Sequence, residues 1–178
     1  MIVGATNQFA IESEIETVTE DGWILGHFRF WVRAQAIGDW EDTADLKGIA
    51  SWLQDFTTSN LNRYELQLTN VSKKDAFRLL FDPVIGMPNN KASLSSSEQF
   101  EQTYIRFHIS HVGMSAFDKY DLLLIEMPQY QRLVWRAATD TIIHDMSFPA
   151  QTMQRVAEQY CHQFKQLITK YPSKKSDS

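Results

Sequence analysis

Apolar and polar residues alternate through Phe9-Ala-Ile-Glu-Ser-Glu-Ile-Glu-Thr-Val18, with Phe9, Ile11 and Ile15 on one side and Glu12, Glu14 and Glu16 on the other. A period of two marks a half-buried strand with an acidic solvent face. Glu20-Asp21-Gly22 is a turn signal, and the strand pattern resumes at once in Trp23–Arg33, which predicts an antiparallel hairpin. In this second strand Ile24, Phe28, Phe30 and Val32 share one face, while Trp23, Leu25 and Trp31 share the other with His27, Arg29 and Arg33. Apolar residues on both faces predict a central strand, covered in part on its second side.

An acidic loop, Gly38-Asp39-Trp40-Glu41-Asp42, leads into a run in which Leu46, Ile49, Ala50, Leu53 and Phe56 recur at helical spacing beside Trp52. Asp42 or Thr43 is the expected cap. Asp45 then falls in the first turn, where a carboxylate favours the helix dipole, and the helix should stop near Thr57–Asn60. Ser72-Lys73-Lys74-Asp75 reads as a capping box ahead of a short helix that ends before Asp82-Pro83, with a strand as the alternative for so short a run. Residues 82–99, with two prolines, paired asparagines and a serine run, predict a long exposed loop.

Three strands are expected next. Tyr104–Ser110 alternates, with Ile105, Phe107 and Ile109 opposite Tyr104, Arg106 and His108; Leu122–Ile125 is continuously apolar; and Pro128-Gln129 turns into Tyr130–Ala138. Ser147-Phe148-Pro149 predicts a helix start, since proline is tolerated in the first turn. Met153, Val156, Ala157, Tyr160, Phe164, Leu167 and Ile168 supply that helix with one apolar stripe, and the polar residues Pro172–Ser178 should fray. The pattern as a whole predicts an α+β fold. It has an antiparallel sheet of about five strands (N-terminal hairpin plus C-terminal meander), packed by two main helices, in one domain spanning residues 1–178.

Composition adds a core and a charge asymmetry. Apolar residues make up 43% of the chain, enough for a sizeable interior. Residues 1–45 hold nine acids against Arg29 and Arg33, a local balance of −7 within a total of −5, which leaves +2 for the remainder. This asymmetry suits a basic partner, although a solvated acidic face kept for solubility reads the same way. The net charge argues against direct contact with nucleic acid. Cys161, the single cysteine, rules out an intramolecular disulfide and reads as a small buried hydrophobe. Neither a secretory signal nor an apolar run long enough to span a bilayer is recognisable, so a cytoplasmic protein without membrane contact is expected.

Candidate chemistry is sparse. His108 and His111 are three apart, a spacing that puts them on opposite faces of a strand. His144-Asp145 lacks further ligands nearby in sequence, and a structural or surface role suits each histidine better than a metal. No nucleophile motif or phosphate-binding glycine pattern occurs, so no cofactor is expected. Glu12/Glu14 or Asp39/Asp42 could serve a carboxylate-dependent hydrolase, but a solvated strand face and a helix start account for them. What remains is a tryptophan flanked by acids, Asp39-Trp40-Glu41-Asp42. It reads as an interface anchor rimmed by charge, or as a core tryptophan with solvent-facing acids. The loop Gly113–Asp118 is a lesser feature of the same type.

Met1–Gly4, Phe9–Glu12, Gly22–Arg29, Ile37–Asp39 and Leu46–Leu53, followed by GMSAFDKYDLLLIE and QRLVW, resemble the immunity protein 42 family of bacterial polymorphic toxin systems. The resemblance runs from the first residue to the C-terminal helix and rests on aromatic and glycine positions. It implies a non-enzymatic protein that binds the C-terminal domain of a cognate toxin, delivered between neighbouring bacteria by contact-dependent inhibition or another secretion route. It supplies no catalytic or contact residues. The charge pattern itself nominates Asp39, Trp40, Glu41, Asp42 and Asp45, with Glu12 and Glu14, as the toxin-facing side, opposite a basic cleft such as a nuclease's. A monomer is favoured; a homo-oligomeric adaptor and a small hydrolase are the alternatives.

Overall fold

In a computed structural model, residues 1–59, 62–81 and 106–171 are described. The loop expected at 82–99, the start of the strand expected at Tyr104 and the tail Pro172–Ser178 lie outside them. The described residues fall into two compact units, one of residues 1–59, 111–119 and 151–171, the other of 62–81, 106–110 and 120–150.

The first unit is built on an antiparallel sheet in the order β1-β2-β3-β4, from Ile2–Gly4, Phe9–Val18, Ile24–Val32 and Gln35–Ile37, with β5 (Ala44–Asp45) also pairing with β3. The predicted hairpin is β2–β3, in register from Phe9↔Val32 to Val18↔Ile24 with a bulge between Ile15 and Thr17. Strand β3 is central, and buried and half-buried residues alternate strictly along it, as its two half-apolar faces predicted. Its link to β4 is a two-residue turn in which Arg33 and Ala34 both have positive φ, the backbone that matches strand twist in tight hairpins.

Helix α1 (Leu46–Thr58) buries Leu46, Ile49, Leu53 and Phe56, on the expected stripe, and ends at Ser59. The C-terminal helix, here α3 (Thr152–Ile168), buries Met153, Val156, Ala157, Tyr160, Cys161 and Phe164. Both helices pack on the sheet's apolar face, where Phe28 meets Tyr160 at 6.0 Å and Phe9 meets Phe30 at 5.2 Å between ring centroids. Cys161 is buried, its thiol 3.4 Å from the Ala50 carbonyl oxygen, and burial pushes its pKa up. It is a packed hydrophobe with little thiolate character.

The second unit carries a separate three-stranded meander, β6 (Tyr120–Glu126), β7 (Tyr130–Ala137) and β8 (His144–Pro149). The strands expected in one sheet therefore form two. Helix α2 (Lys73–Phe81) begins at the predicted box: the Asp75 amide donates to Ser72 Oγ at 3.1 Å, and that hydroxyl donates to Asp75 Oδ2 at 2.7 Å. Ala76, Phe77 and Leu80 of α2 pack with Leu68, Phe107, Leu123, Ile125, Met127 and Val134.

Two further expectations are corrected. The alternation at Tyr104–Ser110 does not make a strand over its described part: His108 forms one isolated bridge to Leu123, and a 3-10 stretch begins at Ser110. Beyond the Ile109 amide, which donates to the Leu122 carbonyl oxygen at 2.9 Å, the Leu122 amide donates to Ser110 Oγ at 2.7 Å in place of a strand carbonyl. Ser147-Phe148-Pro149 ends a strand and does not start a helix. The segment pairs with β7 through Gln131↔Phe148 and Tyr130↔Pro149. At the end of an edge strand the missing proline N–H costs nothing, so the helix starts only after Gln151, at φ 61°.

Candidate functional site

Strand periodicity puts Glu12, Glu14 and Glu16 of β2 beside His27 and Arg29 of β3 on the sheet's outer face, through the registers Glu12↔Arg29 and Glu14↔His27. At the centre is Arg29. Its Nε donates to Glu12 Oε2 at 2.6 Å, and Trp31 Nε1 donates to the same oxygen at 2.6 Å. The guanidinium lies 4.7 Å from the Trp31 ring centroid and 4.1 Å from that of Trp40, so one cation is stacked by two indoles and fixed by one carboxylate. Burial works against charge on Glu12, but the bonds from Arg29 and Trp31 and the Arg29 charge outweigh it and hold the carboxyl below its ordinary value.

Trp40 is half-buried and lies on Arg29 and, at 5.4 Å, on His27. It therefore covers the outer face, which excludes the core reading. The loop that carries it is fastened at several points. Asp39 binds Lys119 and takes the Glu41 amide on Oδ1 at 3.2 Å, and these two bonds lower its pKa. The Asp39 amide donates to the Ala116 carbonyl oxygen at 2.8 Å, and His27 Nδ1 donates to the Asp42 carbonyl oxygen at 3.3 Å.

Phe117 explains why the loops 38–42 and 113–118 meet. Its ring is fully buried, 4.9 Å from Phe30 and 5.8 Å from Phe28. A Cβ on Gly38 would stand 2.8 Å from that ring, and one on Gly113 would stand 2.3 Å from it. Only glycine lets both loops press on Phe117, and Gly38, at φ 126°, also needs glycine's backbone freedom.

The seven nominated residues therefore divide. Glu14 and Glu41 are exposed, and Asp39, Trp40 and Asp42 form the half-buried, fastened loop. Glu12 is turned to Arg29 and Trp31. Asp45, and neither Asp42 nor Thr43, caps α1, accepting from the amides of Lys47 and Gly48 at 3.0 Å each. Sequence reading missed Arg29, Trp31 and Lys119 as parts of this site. The one signal for Arg29 was its place across from Glu12, which requires the hairpin register.

Glu12 and Asp39, the carboxyls whose shifts are resolved in the nominated pairs, are both held in the ionised form, the opposite of what a general acid requires. The histidines have aromatic neighbours: His111 lies edge-on to Trp52 at 4.9 Å and His144 stacks on Trp135 at 5.4 Å, while Asp145 pairs with Arg132. Among the described residues no group of three His, Cys, Asp or Glu side chains is placed to hold a metal, and no helix is long and apolar enough to cross a membrane.

No curated protein matches the sequence. Among solved structures the chain is similar to the crystal structure of CdiI from Burkholderia dolosa AUO158, with a TM-score of 0.67 over 92% of this chain and 99% of that one. At 15% identity that likeness shows the fold. The model of the immunity protein 42 family matches residues 1–163, and the chain belongs to this family of toxin-neutralising immunity proteins.

Proposed function

We propose that the protein neutralises its toxin by stoichiometric binding without catalysis, as a cytoplasmic monomer that holds the toxin's C-terminal domain. The contact surface in this reading is the outer face of β2 and β3 with the loop Asp39–Asp42. One observation carries it: the acidic loop is fastened by Arg29, Lys119 and the Ala116 carbonyl without a partner present. A preorganised loop loses little entropy on binding. Its acids, with Glu14 and Glu16 beside them, favour a basic partner surface, such as the substrate cleft of a nuclease, and raise the association rate. Glu41 and Glu14 then contact the toxin, Asp39, Trp40 and Asp42 shape the loop, Glu12 supports it through Arg29, and Asp45 caps the helix that follows it. The fold shared with CdiI favours delivery of the toxin by contact-dependent inhibition.

The test is co-purification with the C-terminal domain encoded by the gene immediately upstream, followed by Asp39→Lys, Glu41→Lys and Asp42→Lys together. A one-to-one complex whose association slows at least about tenfold in the triple variant, most strongly at low salt, supports the reading. A folded triple variant that associates and protects cells like the parent protein overturns the assignment of this face.

A further inference from the structure

Met114 is out of place by two independent criteria. It is a large apolar side chain left 47% exposed, and its backbone sits at φ 52°, ψ −137°. That conformation mirrors an ordinary extended one, and glycine alone adopts it without cost. A neighbouring glycine, Gly113, is already spent on the close approach to Phe117. The strain persists because both sides of the residue are fixed: Gly113 lies against the Phe117 ring, and the Ala116 carbonyl holds the Asp39 amide.

The result is a half-exposed methionine held at a defined place. Its sulfur lies 3.5 Å from where a Cβ on Gly48 would stand, so the bare first turn of α1 makes room for it beside the capping carboxylate of Asp45. The loop that holds it is the one whose Ala116 carbonyl takes the Asp39 amide, so Met114 shares its support with the acidic loop. Strained, non-glycine backbone is retained where function requires it. Methionine's unbranched, polarisable chain suits a pocket on a partner better than it suits solvent.

We propose that Met114 is the apolar anchor at the α1 edge of the toxin-binding surface, inserted into an apolar pocket of the toxin while the acids of the adjoining loop Asp39–Asp42 pair with that pocket's basic rim. This rests on the immunity reading above and adds an energetic centre that acidic residues alone do not supply, since exposed ion pairs contribute little affinity.

Glycine at this position separates the anchor from a structural role, because it removes the side chain and relieves the backbone. The probe is the C-terminal domain encoded by the upstream gene, immobilised for binding kinetics, alongside urea unfolding of each free variant. Met114→Gly should leave the urea midpoint unchanged or raised, yet bind at least about tenfold more weakly, mostly through faster dissociation. Met114→Leu should bind within about threefold of the parent. If Met114→Gly binds within threefold of the parent, or its midpoint falls, the anchor is overturned and the immunity reading stands. If the parent protein itself does not bind, the immunity reading fails first and the anchor with it.

Discussion

The two sheets use the same chemistry, arginine paired with carboxylate, to different ends. In the three-stranded sheet the pairs are internal ties. Arg132 bonds Asp145 across β7 and β8 at 2.7 Å and reaches the Val71 carbonyl oxygen at 2.9 Å. Arg136 bonds Asp121 across β6 and β7 at 2.9 Å, while buried Arg63 lies 3.7 Å from Glu126. In the five-stranded sheet the pair Arg29–Glu12 also crosses two strands, but the cation's outer face is covered by Trp40, which belongs to a surface loop. An ion pair between covered strands specifies a fold; one that carries a loop on its back presents a surface. The burial patterns agree: β7 is buried over five consecutive residues, whereas β3 alternates strictly.

The comparison breaks most visibly if an internal tie is cut. Glu126→Ala leaves the Arg63 guanidinium, whose pKa burial already lowers against the pull of Glu126, without its carboxylate. The expected cost is about 3 kcal/mol, the scale for removing one partner of a buried ion pair. The urea midpoint should fall accordingly, while toxin affinity, corrected for the folded fraction, stays unchanged. A loss of affinity beyond that correction would mean that the second sheet takes part in binding.

This division also decides what the sequence could reveal. The hairpin, α1, the Ser72 cap and the apolar stripe of α3 were legible because each is written in local period and local capping. β8 was hidden because Ser147-Phe148-Pro149 carries a valid helix-start signal, and only pairing with β7 overrides it. The acidic loop was visible as composition, but its fastening was not. Lys119 lies 80 residues from Asp39 in the chain, and the Arg29–Trp40 stack depends on how the loop folds back over β3. Local sequence makes Asp45 a first-turn acid; the pairing of β5 with β3, which ends at Leu25↔Asp45, moves the cap past Thr43.

A smaller effect sharpens the presenting role. Trp40→Ala removes one face of the stack around Arg29 and should cost about 1 kcal/mol of stability, the scale of a partly exposed cation–π contact. Hydrogen exchange at the amides of Glu41 and Asp42, which bond to Asp39, should quicken, and toxin association should slow by more than the stability change explains. Trp40→Phe should recover much of both, because an aromatic face remains. Faster exchange with unaltered association would separate the loop from the toxin-binding surface.

An effect of similar size, confined to a pH window, comes from the presenting pair of Glu12 and Arg29. Glu12 ionises in the folded protein below its reference value of 4.5, so its contribution to stability is fully present above that value. As pH falls, the unfolded chain takes up the proton first, the stability slope turns positive with pH, and the contribution is lost once pH passes through the folded-state value. Glu12→Gln keeps the shape and an oxygen for Arg29 and Trp31 but removes the charge. It should cost about 1 kcal/mol at neutral pH, the difference between a charged and a neutral hydrogen bond. Urea midpoints followed from pH 6 downward should then show the two proteins beginning to converge as the pH falls below 4.5. Parallel curves would mean that Arg29 is held by its two indoles alone, and the carboxylate would lose its place in the clamp.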